Sequence, residues 1–100
     1  MDIEFWRDKI DGIDERLIEL LNERSRCAVE IGKIKRRESL PLYQPDRELA
    51  VIKNVLRKNH GPLDPGAIKR LFERIIDESR RVERLALQLG LEVVRRCAGA

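Results

Sequence analysis

Residues 2–37 read DIEFWRDKIDGIDERLIELLNERSRCAVEIGKIKRR, and the spacing of apolar side chains along them decides the fold. Ile3, Trp6, Ile10, Ile13, Leu17 and Leu20 are followed by Cys27, Ile31 and Ile34. The steps alternate between three and four residues, the period of an apolar seam on an α-helix. One seam position, Arg24, carries a cation instead of a hydrophobe. No proline falls in the stretch, and its only glycines are Gly12 and Gly32. The spacing predicts a single helix of about 35 residues, roughly 52 Å long at 1.5 Å per residue. A globule of 100 residues has a radius of gyration of only about 13 Å. The helix therefore outreaches the chain that carries it, and its N-terminal half needs a second molecule for cover.

Downstream, Glu38 to Gln44 predicts a loop containing Pro41, and Pro45 suits the first turn of a second helix running to about Asn59. Leu49, Ile52, Val55 and Leu56 form its inward face, and His60, Gly61 and Pro62 end it. Asp64 and Pro65 make a cap and first turn for a third helix. Its inward series is Ile68, Phe72, Ile75, Ser79, Val82, Ala86, Leu89 and Val93, with Ser79 as the polar member. The fold class is all-α: three helices in one domain spanning residues 1–100, frayed only over residues 97–100. The simplest closed way to cover the long helix is an intertwined two-fold dimer.

Composition agrees with a helical globule. At 42% hydrophobic and 39% charged residues the chain is neither disordered nor membrane-spanning, and 4% aromatics leaves the core to Leu, Ile, Val and Ala. The 21 Lys and Arg against 18 Asp and Glu give only +3, and acids interleave with bases almost throughout. That pattern argues against a nucleic-acid partner, the Lys33–Arg37 run being too short for a basic face. Cys27 and Cys97 form neither a disulfide framework nor a metal cluster, and Cys27 reads as a small core residue. A start charged from its second residue and the lack of a long apolar run predict no signal peptide and no membrane anchor. The expectation is a soluble, cytoplasmic protein without metal or cofactor.

The polar residues inside the seams carry the functional reading. Arg24 and Lys35 lie three helical turns apart and share a face. A cation in an apolar seam needs a partner: a structural ion pair with Glu48 or Glu83, a register-setting role, or an anionic ligand. Ser79 has the simpler option of bonding its own helix carbonyl. Glu83 lies one turn beyond it, an edge glutamate if taken alone. Glu48 suits the positive end of the second helix, whereas Arg47 in the same turn does not. If two long helices pair antiparallel about position 18 or 19, Arg7 falls within about 10 Å along the axis of the partner's Arg24 and Lys35. Within one chain, Arg7 and Arg24 would stand about 25 Å apart. A dimer would so gather three cations in a small helical pocket, suited to a dianion held by bidentate Arg contacts.

The stretches RDKIDGIDERLIELLNERSRCAVEIGKIK (7–35), YQPDRE (43–48) and GPLDPGAIKRLFERIIDES (61–79) resemble, in order and spacing, the all-helical chorismate mutases. The likeness runs over about residues 5–83. It implies an isomerase that rearranges chorismate to prephenate on the route to Phe and Tyr, without cofactor or covalent intermediate. It also implies a homodimer whose sites each borrow one arginine, at position Arg7, from the other chain. Carried over by position, Arg24 and Arg47 would clamp carboxylates. Lys35 would reach a carboxylate and the ether oxygen, Glu48 would accept from the ring hydroxyl, and Ser79 would support a carboxylate. Two positions depart from the pattern: Gln44 stands where several relatives have Asp, and Glu83 where many have Gln, the donor to the ether oxygen. A glutamate there donates only when protonated, which puts Lys35, Glu83 and Arg24 at the centre of the expected catalysis. The competing readings are an isochorismate-pyruvate lyase on the same scaffold and a non-catalytic helical adaptor dimer.

Overall fold

The structure, a computed structural model, describes residues 1–89, with side chains to Leu85. It contains α1 (Ile3–Arg37), α2 (Pro45–Lys58) and α3 (Pro65–Leu89). Local chemistry accounts for the boundaries up to the start of α3. The Asp2 carboxylate accepts from the Phe5 N–H at 3.0 Å, and Lys35, Arg36 and Arg37 occupy the last turn of α1, where cations favour the helix dipole. Beyond that turn the chain reverses through Ser39 at φ 56°. The Ser39 N–H donates to the Arg36 carbonyl at 3.2 Å and the Leu40 N–H to that of Lys35 at 2.7 Å. These two bonds are the Schellman arrangement, here with serine in the left-handed position that glycine usually fills.

Pro45 opens α2, whose Arg47 and Glu48 N–H groups donate to the Gln44 carbonyl at 3.1 and 3.2 Å. Asn59 closes it, accepting from the Gly61 N–H at 3.1 Å and donating to the Leu63 carbonyl at 2.8 Å. Asp64 caps α3 by accepting from the Ala67 N–H at 2.7 Å. Asp64 and Pro65 therefore act as the cap and first turn that the sequence indicates.

α3 packs against both α1 and α2, whereas α1 and α2 do not pack directly on each other among the described residues. The molecule measures 54 × 31 × 15 Å, its long axis close to the length of α1. Among the described residues, the buried apolar side chains are Ala28, Val29, Ile52 and Ile76. The predicted seam of α1 is not the face that α3 covers. Ile3, Trp6, Ile10, Ile13, Leu17, Leu20, Ile31 and Ile34 are all exposed in the single chain, and α3 instead lies on the side of Ala28, Val29 and Gly32. Cys27, expected in the core, is exposed, and Leu49, expected to face inward, is 54% exposed. The reason is geometric: α1 carries a second stripe beside the seam, made of Ala28, Val29 and Gly32, and a stripe of small residues is harder to see by counting large hydrophobes. The expected inward positions Ala86, Leu89 and Val93, and the stretch 97–100, lie outside the residues whose side chains are described. No helix among the described residues is long and apolar enough to cross a membrane.

Val29, only 1% exposed, is the most enclosed side chain of the core. Val29→Ala is expected to lower the unfolding free energy by about 2 kcal/mol, through lost burial and a residual cavity. Denaturant titration at fixed protein concentration measures it, and a loss below about 0.5 kcal/mol would show the α1–α3 contact to be loose.

Candidate active site

Each helix sends one stripe of side chains, spaced by three or four residues, toward a common cavity of about 430 Å³. From α1 come Arg24, Ala28, Ile31 and Lys35; from α2, Arg47, Glu48 and Val51; from α3, Ile76, Ser79, Arg80 and Glu83. Leu42 and Gln44, in the segment joining α1 to α2, complete the wall. Seven of the eight residues singled out in the sequence thus meet here: Arg24, Lys35, Gln44, Arg47, Glu48, Ser79 and Glu83. Arg7 does not. It is exposed near the start of α1, where its Nη1 pairs with Glu4 Oε1 at 2.7 Å.

Arg24 Nη1 donates to Ser79 Oγ at 2.5 Å, and that hydroxyl donates in turn to the Ile75 carbonyl at 3.0 Å. Ser79 therefore bonds its own helix and steadies Arg24 at once. The ion pair between Arg24 and Glu48 or Glu83, one of the readings open from sequence, does not form. Ser79 lies directly across the helix interface from Arg24, and Glu48 is engaged by Arg80, whose Nε lies 3.2 Å from Glu48 Oε2. Lys35 Nζ donates to the Leu42 carbonyl at 2.9 Å and so ties the joining segment to the end of α1. Arg47 makes no ion pair with any described carboxylate.

Glu83 is 6% exposed, and its Oε2 has no hydrogen-bond partner among the described residues. Burial pushes its carboxyl above the ordinary value of 4.5; Lys35 and Arg80 pull it back, and Glu48 adds to the rise. Room for this side chain comes from Gly32, where a methyl group would stand 3.3 Å from Glu83 Cγ and 3.4 Å from its Cβ. Sequence reasoning noted Gly32 only as a residue that fails to break the helix. A glycine inside a helix costs about 1 kcal/mol relative to alanine, and that cost was the available signal for a close approach. Arg80 was missed as well, because the counted series on α3 ran through Ile75, Ser79 and Val82, one position away from the stripe of Ile76, Arg80 and Glu83.

Residues 6–84 match the family model described as chorismate mutase type II. The chain belongs to that family. It is 38% identical over 92 residues to the bifunctional chorismate mutase/prephenate dehydratase of Pseudomonas aeruginosa, across 87% of this chain and 24% of that protein. Against the protein of the same description from Escherichia coli K12, the identity is 39% over 90 residues, across 88% of this chain and 23% of the relative. The chain thus spans under a quarter of the length of these curated relatives. Among solved structures, the chorismate mutase (Form II) of Thermus thermophilus superposes with a TM-score of 0.81 at 32% identity, covering 82% of this chain and 93% of that one.

Because folding raises the Glu83 pKa, stability attached to this group is intact below 4.5 and is lost as pH rises through the folded value. Glutamine imitates the protonated acid at every pH. The stability of Glu83→Gln relative to wild type is therefore expected to grow with pH over that window and then level off. Chemical denaturation at a series of pH values measures the difference, and a flat difference would mean that Glu83 titrates normally.

Proposed function

We propose that this chain is a chorismate mutase acting in the cytoplasm as a two-fold dimer, and that the α1–α2–α3 cavity is its substrate site. The observation that carries the reading is the convergence of Arg24, Lys35, Arg47, Glu48, Ser79 and Glu83 on one cavity of about 430 Å³. That volume falls within the usual range for small-molecule sites. The reaction is unimolecular: the ether C–O bond of chorismate breaks while a C–C bond forms, giving prephenate. It requires no base, nucleophile or cofactor. What the protein supplies is the compact reactive conformer and stabilisation of the negative charge that grows on the ether oxygen.

On this reading Arg24 and Arg47 hold the substrate carboxylates, with Ser79 fixing Arg24 and supporting a carboxylate. Glu48 accepts from the ring hydroxyl, and the backbone at Gln44 borders the substrate. Lys35 uses one of its three ammonium protons on the Leu42 carbonyl, which leaves two for a carboxylate and the ether oxygen. Glu83, whose carboxyl burial shifts toward the protonated form, donates in that form to the same ether oxygen from the opposite helix. Arg7 comes from the partner subunit. Support for this is the exposed position of Arg7 in the single chain, together with the uncovered seam of Ile10, Ile13, Leu17 and Leu20. Antiparallel pairing of two α1 helices covers that seam and carries each Arg7 toward the other chain's cavity.

Purified protein is expected to consume chorismate with appearance of prephenate, and Lys35→Ala to lower kcat by about 10²- to 10³-fold, the usual effect of removing one donor to a developing oxyanion. A folded protein that leaves chorismate untouched would remove the mutase reading. Turnover is further expected to fall as pH rises through the raised Glu83 pKa, and Glu83→Gln to erase that limb, since the amide donates at any pH. The shared site has its own check. Arg7→Ala and Lys35→Ala homodimers are each expected to be nearly inactive, yet after unfolding and refolding together to recover about a quarter of wild-type activity, because half the dimers then carry one complete site. No recovery on mixing would confine the site to one chain.

A further inference from the structure

Arg80 contacts three separate parts of the molecule with one guanidinium. Its Nε is buried and lies at ion-pair distance, 3.2 Å, from Glu48 Oε2 on α2, though not as an aligned hydrogen bond. Its Nη2 donates to Asp77 Oδ1, 2.5 Å away on α3. Its Cζ lies over the ring of Tyr43, in the segment joining α1 to α2, 5.1 Å from the ring centroid. Both Arg80 and Glu48 line the cavity. Arg80 is also the one described cation within ion-pair distance of Glu48.

We propose that Arg80 is a positioning residue for the proposed reaction: it holds the Glu48 carboxylate at the cavity wall and, by stacking on Tyr43, keeps the 38–44 segment closed against α3. The assignment rests on the mutase reading, because it concerns how Glu48 is presented to substrate. Its physical basis is competition. Arg24, Lys35 and Arg47 share the cavity with Glu48, and none of the three is paired with a carboxylate of the site. A Glu48 released from Arg80 would turn toward those cations and occupy the positions meant for the substrate's carboxylates. Arg80 prevents this by giving Glu48 a nearer partner, and Asp77 in turn fixes the guanidinium. Lysine cannot replace it, since an ammonium has neither the plane to stack on Tyr43 nor the fork to engage two carboxylates.

The second consequence of the placement concerns Glu83. The charged groups that face it are Lys35 from α1, Glu48 from α2 and Arg80 from its own helix, and Arg80 is among those that lower its pKa. Removing the Arg80 charge therefore lets the Glu83 carboxyl rise further. A residue that merely supports the fold would not move that titration.

The test is the steady-state rearrangement of chorismate by wild type, Arg80→Leu and Arg80→Lys over roughly pH 5 to 9, with helicity checked by circular dichroism. Arg80→Leu is expected to raise KM about tenfold with a smaller change in kcat, and to move the alkaline limb to higher pH. Arg80→Lys should raise KM while leaving the limb near its wild-type position, because the charge remains. An active wild type whose Arg80→Leu variant keeps both KM and limb overturns the role of Arg80 alone. Should Arg80→Leu fail to fold, an Arg80→Lys variant with wild-type KM overturns it equally. A wild type inert toward chorismate overturns the mutase reading and this assignment with it. A readout that needs no turnover is the pH at which the growing stability advantage of Glu83→Gln levels off, which marks the folded-state titration: in the Arg80→Leu background it should lie higher, and an unchanged value counts against the proposal.

Discussion

Where α3 crosses α1, the Cγ of Glu83 lies so near the backbone that a methyl group on Gly32 would come within 3.3 Å of it. Ala28, one turn earlier on α1, is also buried, and so is Ser79, one turn earlier on α3. The two helices approach closely here because the facing positions are small. That approach sets the geometry of everything polar in the cavity. It brings Ser79 Oγ to 2.5 Å from Arg24, removes Glu83 from water, and leaves Ile76 beside Ala28 at the cavity wall. With bulkier residues at 28 and 32 the helices would separate, Arg24 would lose its anchor, and Glu83 would regain solvent and ionise in the ordinary range. The glycine that weakens α1 locally is thus the condition for a carboxyl that burial shifts toward its neutral form.

α2 has a different relation to α1. The two helices do not pack on each other among the described residues, so polar links and the intervening α3 decide how α2 faces the cavity. Lys35 holds the joining segment through the Leu42 carbonyl, and Arg80 holds both Tyr43 and Glu48. These contacts are only partly buried. Each is individually weak in energy, and their value is in orientation rather than stability. Rotation of α2 by even a fraction of a turn would exchange Arg47 and Glu48 at the cavity wall for the outward-facing Asp46 or Leu49.

The helices and their boundaries up to the start of α3 were legible in the sequence because they depend on local chemistry: the Asp2 and Asp64 caps, Pro45 and Pro65 in first turns, and an apolar period through α1 broken only at Arg24. Most of the cavity was legible for a related reason. Arg24 and Ser79 are polar members of apolar series and Arg47 is a cation in a first turn, and a misplaced polar group is visible in one dimension. Lys35, Glu48 and Glu83 occupy positions ordinary for their charge and stood out only beside these and through the family resemblance. Gly32 and Arg80 were not legible, because nothing local marks them. An arginine on an otherwise charged helix looks solvated until Glu48 and Tyr43 are known to face it, and those come from an element distant in sequence. The assignment of Cys27 and Leu49 to the interior failed for the converse reason. Each falls in an apolar period but is itself left exposed in the single chain, in the case of Leu49 although Ile52 of the same series is buried.

The cations of the cavity divide into two kinds, and the division bears on what the cavity holds. Arg80 is opposed by Glu48 and Asp77, so its field is largely cancelled where it stands. Arg24 and Lys35 are held by neutral oxygens, a hydroxyl and a carbonyl, which fix direction without neutralising charge, and Arg47 has no carboxylate partner among the described residues. Positioning a cation with a neutral acceptor keeps its potential available to a ligand, whereas positioning it with a carboxylate does not. Burial of Glu83 acts in the same sense, since it favours the protonated form, which removes one negative charge from the wall and adds a donor. A site arranged in this way is electropositive before any ligand arrives and needs little reorganisation when one does. That is the form of stabilisation open to the proposed reaction, in which no group on the protein forms a bond to the substrate, the cations meet its carboxylates, and further charge develops on a breaking ether.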